Sequence, residues 1–181
     1  MEPASYAIFK TALGECAILW RDGKATGVLL PEQTHDAMLR SVRRRDNDAK
    51  EDAPPPTVQA LIDGVQRLAR GEETEFDLSA LDRSAIEPFA NRVYDELLLV
   101  PFGETTTYGA IAETLGDKNL SRAVGAALGA NPFPVIIPCH RVTAANGAMG
   151  GFSAPGGAAT KRKLLEIEGV FSADKLPLFS A

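Results

Sequence analysis

The sequence predicts an α/β protein in two small parts. Residues 1–84 form an antiparallel sheet with helices, and residues 85–181 form a mostly helical part. Three observations predict this. The first thirty residues are runs of strand formers broken by Leu13-Gly14 and Asp22-Gly23, the second a hairpin signal. Val58 to Leu68 and Phe89 to Leu97 carry apolar residues at helical spacing. Residues 105–129 read as helix, short turn, helix.

Taken in order, residues 5–12 alternate loosely, and Glu15 to Trp20 and Ala25 to Leu30 read as two further strands of a meander. Residues 34–45 follow with Ala37, Met38 and Val42 on one side and Arg43-Arg44-Arg45 at the end. That arginine run reads as a solvated helix end favoured by the helix dipole, ahead of a binding patch. Residues 46–56 are a polar loop ending in prolines, after which Thr57 is expected to cap a helix that stops at Gly71. Residues 72–82 are acidic and irregular, with a short strand expected around Phe76 to Leu78. The next helix starts at Glu87-Pro88, where proline is tolerated, buries Phe89, Val93 and Leu97, and stops before Pro101. A threonine-capped helix over Thr105 to Leu115 ends at Gly116, and after a turn Ser121 caps a second helix to Gly129. The last stretch, Val170 to Ala181, is expected to pack on the surface.

Composition bounds the function. With 45% hydrophobic and 24% charged residues the chain has enough apolar material for a core, which excludes disorder over most of its length. The apolar run Leu97 to Phe102 is far too short to cross a bilayer, and no signal-peptide pattern opens the chain, so the expected location is cytoplasmic. Two cysteines, Cys16 and Cys139, and two histidines, His35 and His140, exclude a disulfide scaffold and lack metal-ligand spacing; no metal site is expected. The net charge of -5 argues weakly against nucleic acid, but residues 91–170 hold seven basic and seven acidic residues, so all of the excess lies elsewhere.

The second of the paired helices is unusual. Ala123, Gly125, Ala126, Ala127 and Gly129 crowd it with small residues, although each glycine costs up to about 1 kcal/mol relative to alanine. Tight packing within the protein and close approach of another backbone both account for that. Arg122 starts the helix, where the dipole disfavours a cation, which points toward a functional role. An apolar strand, Val135 to Ile137, is then expected to deliver Cys139 between Pro138 and His140. A free cysteine is most often a small buried hydrophobe. Beside an imidazole its pKa can fall, making it a nucleophile. Neighbours on a strand do not face each other, so a Cys139–His140 dyad needs a sharp turn or a bridging water.

Pro138-Cys139-His140-Arg141-Val142, preceded by Asn131-Pro132, resembles the active-site signature of the O6-alkylguanine-DNA alkyltransferases, the methylated-DNA–protein-cysteine methyltransferases. Pro101-x-Gly103 with Thr107-Tyr108-Gly109-x-Ile111-Ala112 resembles that family's first DNA-domain helix, and Arg122-Ala123-Val124-Gly125-x-Ala127 its recognition helix. Gly150 to Ser153, Gly156-Gly157, Lys161 and Leu164-Leu165-x-Ile167-Glu168-Gly169 resemble its C-terminal part. The resemblance spans residues 88–170 in unbroken order; before it, only the strand-rich opening and the length agree.

The resemblance implies a ribonuclease-H-like first part and a helix-turn-helix in the second. It implies a monomer without cofactor that binds duplex DNA carrying O6-alkylguanine through the minor groove. Ala123, Gly125, Ala126 and Gly129 would lie along the groove, Arg122 would fill the space of the extruded nucleotide, and Tyr108 would help turn it out. The resemblance makes Cys139 the nucleophile, His140 its base through a water, Glu168 the orienting carboxylate and Asn131 the brace of the turn. Carbonyls at Cys139 and Val142, the ring of Phe152, Ser153 and Lys161 would form the substrate pocket. The thioether product is a poor leaving group, so each molecule would act once.

Each role has a plainer rival. Asn131 is also a turn former before Pro132, Glu168 a helix-end carboxylate, Tyr108 a core residue and Ser153 a helix cap. Lys161-Arg162-Lys163 reads most simply as a solvated helix start. Phe152 stands where the family commonly has tyrosine, the 153–157 loop is longer than the shortest versions, and the neutral second half implies a shallow salt dependence. Three other functions compete, one of them a DNA-binding regulator that uses alkylation of Cys139 as a signal. A non-catalytic protein that flags alkylated bases would lack the cysteine, whereas a cysteine hydrolase would turn over and have no use for Arg122.

Overall fold

In a computed structural model, which describes residues 1–171, the strand Gly14–Arg21 (β2) is buried over Cys16 to Trp20, on both of its faces. It pairs antiparallel with Ser5–Thr11 (β1) and with Lys24–Leu29 (β3). Asp22 and Gly23 join β2 to β3, both with positive φ, the twist-matched turn that Asp-Gly predicts. Alternation along β2 divides the core. Ala17 and Leu19 pack with Met38 and Val42 of helix His35–Arg45 (α1). Cys16, Ile18 and Trp20 pack on the other face with Val58, Leu61 and Val65 of helix Pro56–Ala69 (α2). Full burial of each such aliphatic side chain contributes about 1.5–3 kcal/mol.

Local details depart from expectation in two places here. Helix α2 starts on Pro55 and Pro56 without a side-chain cap; Thr57 donates to Gly23 O instead, at 2.8 Å. The polar 46–56 loop contains a two-residue strand, Lys50–Glu51 (β4), which pairs parallel with Ser5 and Tyr6 and gives the order β3-β2-β1-β4.

No strand forms at Phe76 to Leu78. A 3-10 turn, Leu78–Ala80, stands there, and Leu81 bridges Ala25. Helix Pro88–Leu97 (α3) buries Ala90, Val93, Tyr94 and Leu97, with Phe89 only partly covered. Strand Thr106–Thr107 (β5) runs into helix Tyr108–Thr114 (α4), capped by Thr107 rather than Thr105. A 3-10 turn, Lys118–Leu120, leads into helix Ser121–Gly129 (α5). Ser121 does not cap α5; its hydroxyl donates to Lys118 O. Residues 139–141 form a 3-10 turn, followed by strand Val142–Thr143 (β6), which pairs parallel with β5. Helix Ala158–Ile167 (α6) closes the described chain.

One continuous core joins the two parts: Ile18, Trp20 and Val65 belong to the same buried cluster as Tyr94, Phe133, Ile137 and Leu164. The expected surface packing of Val170 to Ala181 lies, from residue 172 on, outside the described residues. Among the described residues no helix is long and apolar enough to cross a membrane, and no cluster of three or more His, Cys, Asp or Glu is placed to hold a metal ion.

Candidate active site

The expected strand at Val135 to Ile137 is a tight turn instead. Ile137 N donates to Phe133 O at 2.8 Å, and Val135 sits at φ 75°. A β-branched residue in that region is strained. Asn131 holds it there: its Nδ2 donates to Ile137 O at 2.9 Å, and its Oδ1 accepts from Phe133 N at 2.9 Å. The turn former and the brace are thus one residue. Pro132 O also accepts from Val28 N at 2.8 Å, tying this bracket to the edge of β3.

The chain leaves the bracket directly into the 3-10 turn at Cys139, the sharp turn that a Cys–His pair on one stretch needs. Cys139 is 7% exposed and faces two cavities, while His140 is fully buried and points to Glu168. His140 Nε2 and Glu168 Oε1 are 2.6 Å apart. Arg141 reaches the same carboxylate twice, through Nε at 2.9 Å and Nη2 at 3.0 Å, and donates its Nη1 to Val100 O at 2.8 Å. Gly103 N donates to Glu168 Oε2 at 3.2 Å. Glu168 is therefore a buried hub and not a helix-end carboxylate in solvent.

This geometry sets the protons. Burial pushes the Glu168 carboxyl up, but hydrogen bonds from His140 and Arg141 outweigh it and bring its pKa down to about 2. An ionised carboxylate only accepts, so the His140 proton is on Nε2 and the lone pair on Nδ1. Burial lowers the His140 pKa and keeps the ring neutral, although Glu168 pulls the other way. His140 Nδ1 is buried and has no hydrogen-bond partner among the described residues. A neutral imidazole with a free, buried lone pair is a proton acceptor waiting for a donor.

Burial likewise raises the Cys139 pKa, against the lowering that an imidazole neighbour suggested. Asn131, the Lys161 charge and the backbone N–H groups of Cys139 and His140 offset this only in part. The group is a thiol at rest, and it must lose its proton before it can act as a nucleophile.

Lys161 is 1% exposed, not a solvated helix start. Its Nζ donates to Val142 O and lies 5.9 Å from the centre of the Tyr108 ring. Burial lowers its pKa, while Cys139 opposes the change. The Val142 carbonyl, expected to face a base, accepts from Lys161. Ser153 does not cap α6, whose first turn begins after Gly157; its hydroxyl donates to Gly129 O at 2.9 Å.

The first cavity, about 530 Å³, is lined by Tyr108, Gly125, Leu128, Phe152, Ser153 and Cys139. Tyr108 is half-buried, and Gly150, at φ 70°, lets the loop pass it: a Cβ there would stand 2.6 Å from the Tyr108 hydroxyl. Arg122, Ala123, Ala126 and Gly129 share the exposed face of α5, with Gly125 beside them, while Val124, Ala127 and Leu128 are buried. Of the small residues only Ala127 is buried in the core. A Cβ on Gly129 would meet nothing within 4 Å, and one on Gly125 only the Tyr108 ring at 4.0 Å, an ordinary contact.

Sequence reasoning missed Arg141. A signal was available: an arginine inside an apolar stretch must be paired if it is buried. It also missed the burial of Lys161, although Lys161, Leu164, Leu165 and Glu168 share one helical face.

Residues 88–170 match the family described as 6-O-methylguanine DNA methyltransferase, DNA binding domain. A methylated-DNA–protein-cysteine methyltransferase of Methanothermobacter thermautotrophicus is 35% identical over 156 residues, covering 86% of this chain and 80% of that one. The crystal structure of Mycobacterium tuberculosis O6-methylguanine methyltransferase superposes with a TM-score of 0.75 at 33% identity, covering 97% of this chain and 96% of that chain. That of Mycobacterium tuberculosis OGT in complex with DNA gives 0.73 at 34% identity, covering 91% and 92%.

Proposed function

The chain belongs to the methylated-DNA–protein-cysteine methyltransferase family, and we propose that it repairs O6-alkylguanine in duplex DNA by taking the alkyl group onto Cys139, once per molecule. Direct-reversal DNA repair is the activity of this family member. The observation that carries the residue assignment is the contact of Glu168 with His140 Nε2, which leaves a buried Nδ1 without a hydrogen-bond partner among the described residues, on the residue that follows the buried Cys139.

In this reading α4, the Lys118–Leu120 turn and α5 act as a helix-turn-helix laid in the minor groove, and β1–β4 with α1 and α2 form a ribonuclease-H-like scaffold. Residues 1–84 support, and residues 85–181 bind and react. The bare face of α5 lets the DNA backbone come close. Arg122, exposed at the head of that face, takes the place of the extruded nucleotide, and Tyr108 guides the base into the 530 Å³ cavity. Cys139 lies on that cavity's wall.

A water on His140 Nδ1 takes the thiol proton, and Glu168 steadies the resulting imidazolium. Sγ then displaces guanine O6 from the alkyl carbon; the S–C bond forms as the C–O bond breaks, and the proton ends on the guanine. Lys161 holds the Val142 carbonyl and lends positive charge to the developing thiolate. Asn131 fixes the turn that aims Cys139. The thioether is a poor leaving group, so the protein is consumed. In this reading the protein acts as a monomer in the cytoplasm.

Intact-protein mass after incubation with a duplex carrying O6-methylguanine tests this. The expected result is one added methyl, mapped to the Cys139 peptide, with one guanine restored per protein. Binding without a mass change would overturn the transfer, and repeated turnover would overturn its single use.

A further inference from the structure

Tyr94, on α3, is buried, and its hydroxyl donates to the Ala127 carbonyl of α5 at 2.6 Å. A helix leaves its last carbonyls without intrahelical partners. At the end of α5, Ala126 O accepts from Ala130 N at 3.1 Å and Leu128 O from Asn131 N at 3.2 Å, while Gly129 O accepts from the Ser153 hydroxyl. Tyr94 serves the remaining one. Among the described residues this is the only hydrogen bond between α3 and α5. Val93, Leu97, Val124, Ala127 and Leu128 otherwise share one apolar cluster with it. Small side chains such as those of α5 have little to interlock, so apolar contact specifies the helix register poorly. A directional, buried hydrogen bond specifies it well.

The register matters because both ends of α5 are in use. Arg122 and Gly125 lie on the face proposed to meet DNA. Four residues beyond Ala127 stands Asn131, whose side chain braces the turn that aims Cys139. A cavity of about 420 Å³ borders Tyr94, Ala130 and Pro132, so packing alone does not fix the start of that brace. Tyr94 is also coupled to the nucleophile. Burial raises its pKa to about 12, a charge on Cys139 adds to the rise, and Arg83 opposes it. The hydroxyl therefore stays protonated and keeps donating. We propose that Tyr94 is a positioning residue for alkyl transfer, its hydroxyl holding the DNA-facing side of α5 in register with Cys139. The proposal rests on the alkyl-transfer reading above. A base still joined to the duplex is delivered by α5 and cannot follow a shift of that helix relative to the nucleophile, whereas a free base settles anew in the cavity. Displacement needs sulfur, carbon and O6 in line, and a misplacement of about 1 Å can cost about 100-fold.

Tyr94→Phe removes the hydroxyl and keeps the ring. Three quantities are measured well below its melting point: the single-turnover rate at saturating duplex O6-methylguanine, the affinity for that duplex, and the rate with the free O6-methylguanine base. The duplex rate is expected to fall about tenfold, while the affinity and the free-base rate stay within about twofold. A merely structural role would lower stability without separating the two substrates. Replacing Tyr94 by 4-aminophenylalanine, whose ring amine donates from the same place, should restore the duplex rate to within about threefold. An unchanged duplex rate in Tyr94→Phe, an equal loss on both substrates, or no recovery with the amine would overturn the proposal. Failure of the wild type to take methyl onto Cys139 would overturn the underlying function instead.

Discussion

His140 Nε2 lies 2.6 Å from Glu168 Oε1, and both side chains are closed to solvent. That contact makes the other ring nitrogen a base, and Arg141 makes the contact sustainable by neutralising the carboxylate from its other side. Breaking a buried pair by removing one partner's charge costs about 3–5 kcal/mol, because the remaining charge is stranded.

Glu168→Gln therefore has two expected effects. Arg141 loses its counter-charge, and melting should fall by at least about 6 °C, at about 2 °C or more per kcal/mol for a chain of this size. The amide can also donate to Nε2, which releases the tautomer and removes the base; single-turnover transfer should slow about 100-fold or more. Rates are measured well below the new melting point. A rate within twofold of wild type would show that His140 does not work through Glu168.

The same pair sets a pH dependence. His140 is neutral in the fold because burial lowers its pKa, whereas the unfolded chain takes up a proton near the ordinary 6.5. Stability should therefore fall as pH drops below 6.5, by up to about 1.4 kcal/mol per pH unit. Glu168 adds a second loss between its ordinary 4.5 and about 2, because its stabilising charge vanishes there. His35, raised by Glu15, runs the other way, so denaturant unfolding is followed in a His35→Ala background. His140→Gln should flatten the slope between pH 6.5 and 5; an unchanged slope would mean that another group carries it.

The sequence exposed those parts whose causes are local. Asp22-Gly23 announces its hairpin because only a positive-φ turn matches the strand twist, and α2 shows its apolar stripe. Strand β4 is two polar residues held by pairing with β1, and nothing in its composition marks it. The bracket at Asn131 to Ile137 looked like a strand because Val-Ile-Ile is strand-forming, yet long-range burial and the Asn131 brace override that preference. Glu168 stands 28 residues from His140, and no periodicity links them; only the family resemblance did. The plainer reading of Lys161 as part of a solvated basic triplet fails, because its spacing from Leu164, Leu165 and Glu168 places it inward; the family resemblance had set it apart from Arg162 and Lys163.

The glycines of α5 separate packing from recognition. Gly125 lies inside the helix, and a Cβ there meets only the Tyr108 ring at ordinary contact distance. Gly125→Ala should stabilise the fold by about 0.5–1 kcal/mol through helix propensity. On a face that lies against a groove, the same methyl should weaken duplex binding severalfold. A gain in stability with unchanged DNA affinity, read by melting and by titration, would take α5 out of the interface.

Arg122 is exposed at the start of α5 and makes no hydrogen bond or ion pair among the described residues. Its removal should change stability by no more than about 0.5 kcal/mol. Its proposed work is to occupy the stack once a base has left, and unstacking costs a few kcal/mol. Arg122→Ala should therefore slow transfer from duplex O6-methylguanine at least tenfold, because only the duplex requires extrusion. Reaction with the free alkylated base enters the same cavity without that cost, and its rate should stay within twofold. Equal losses on both substrates would assign Arg122 to the pocket, and no loss on either would leave the head of α5 without a role in extrusion.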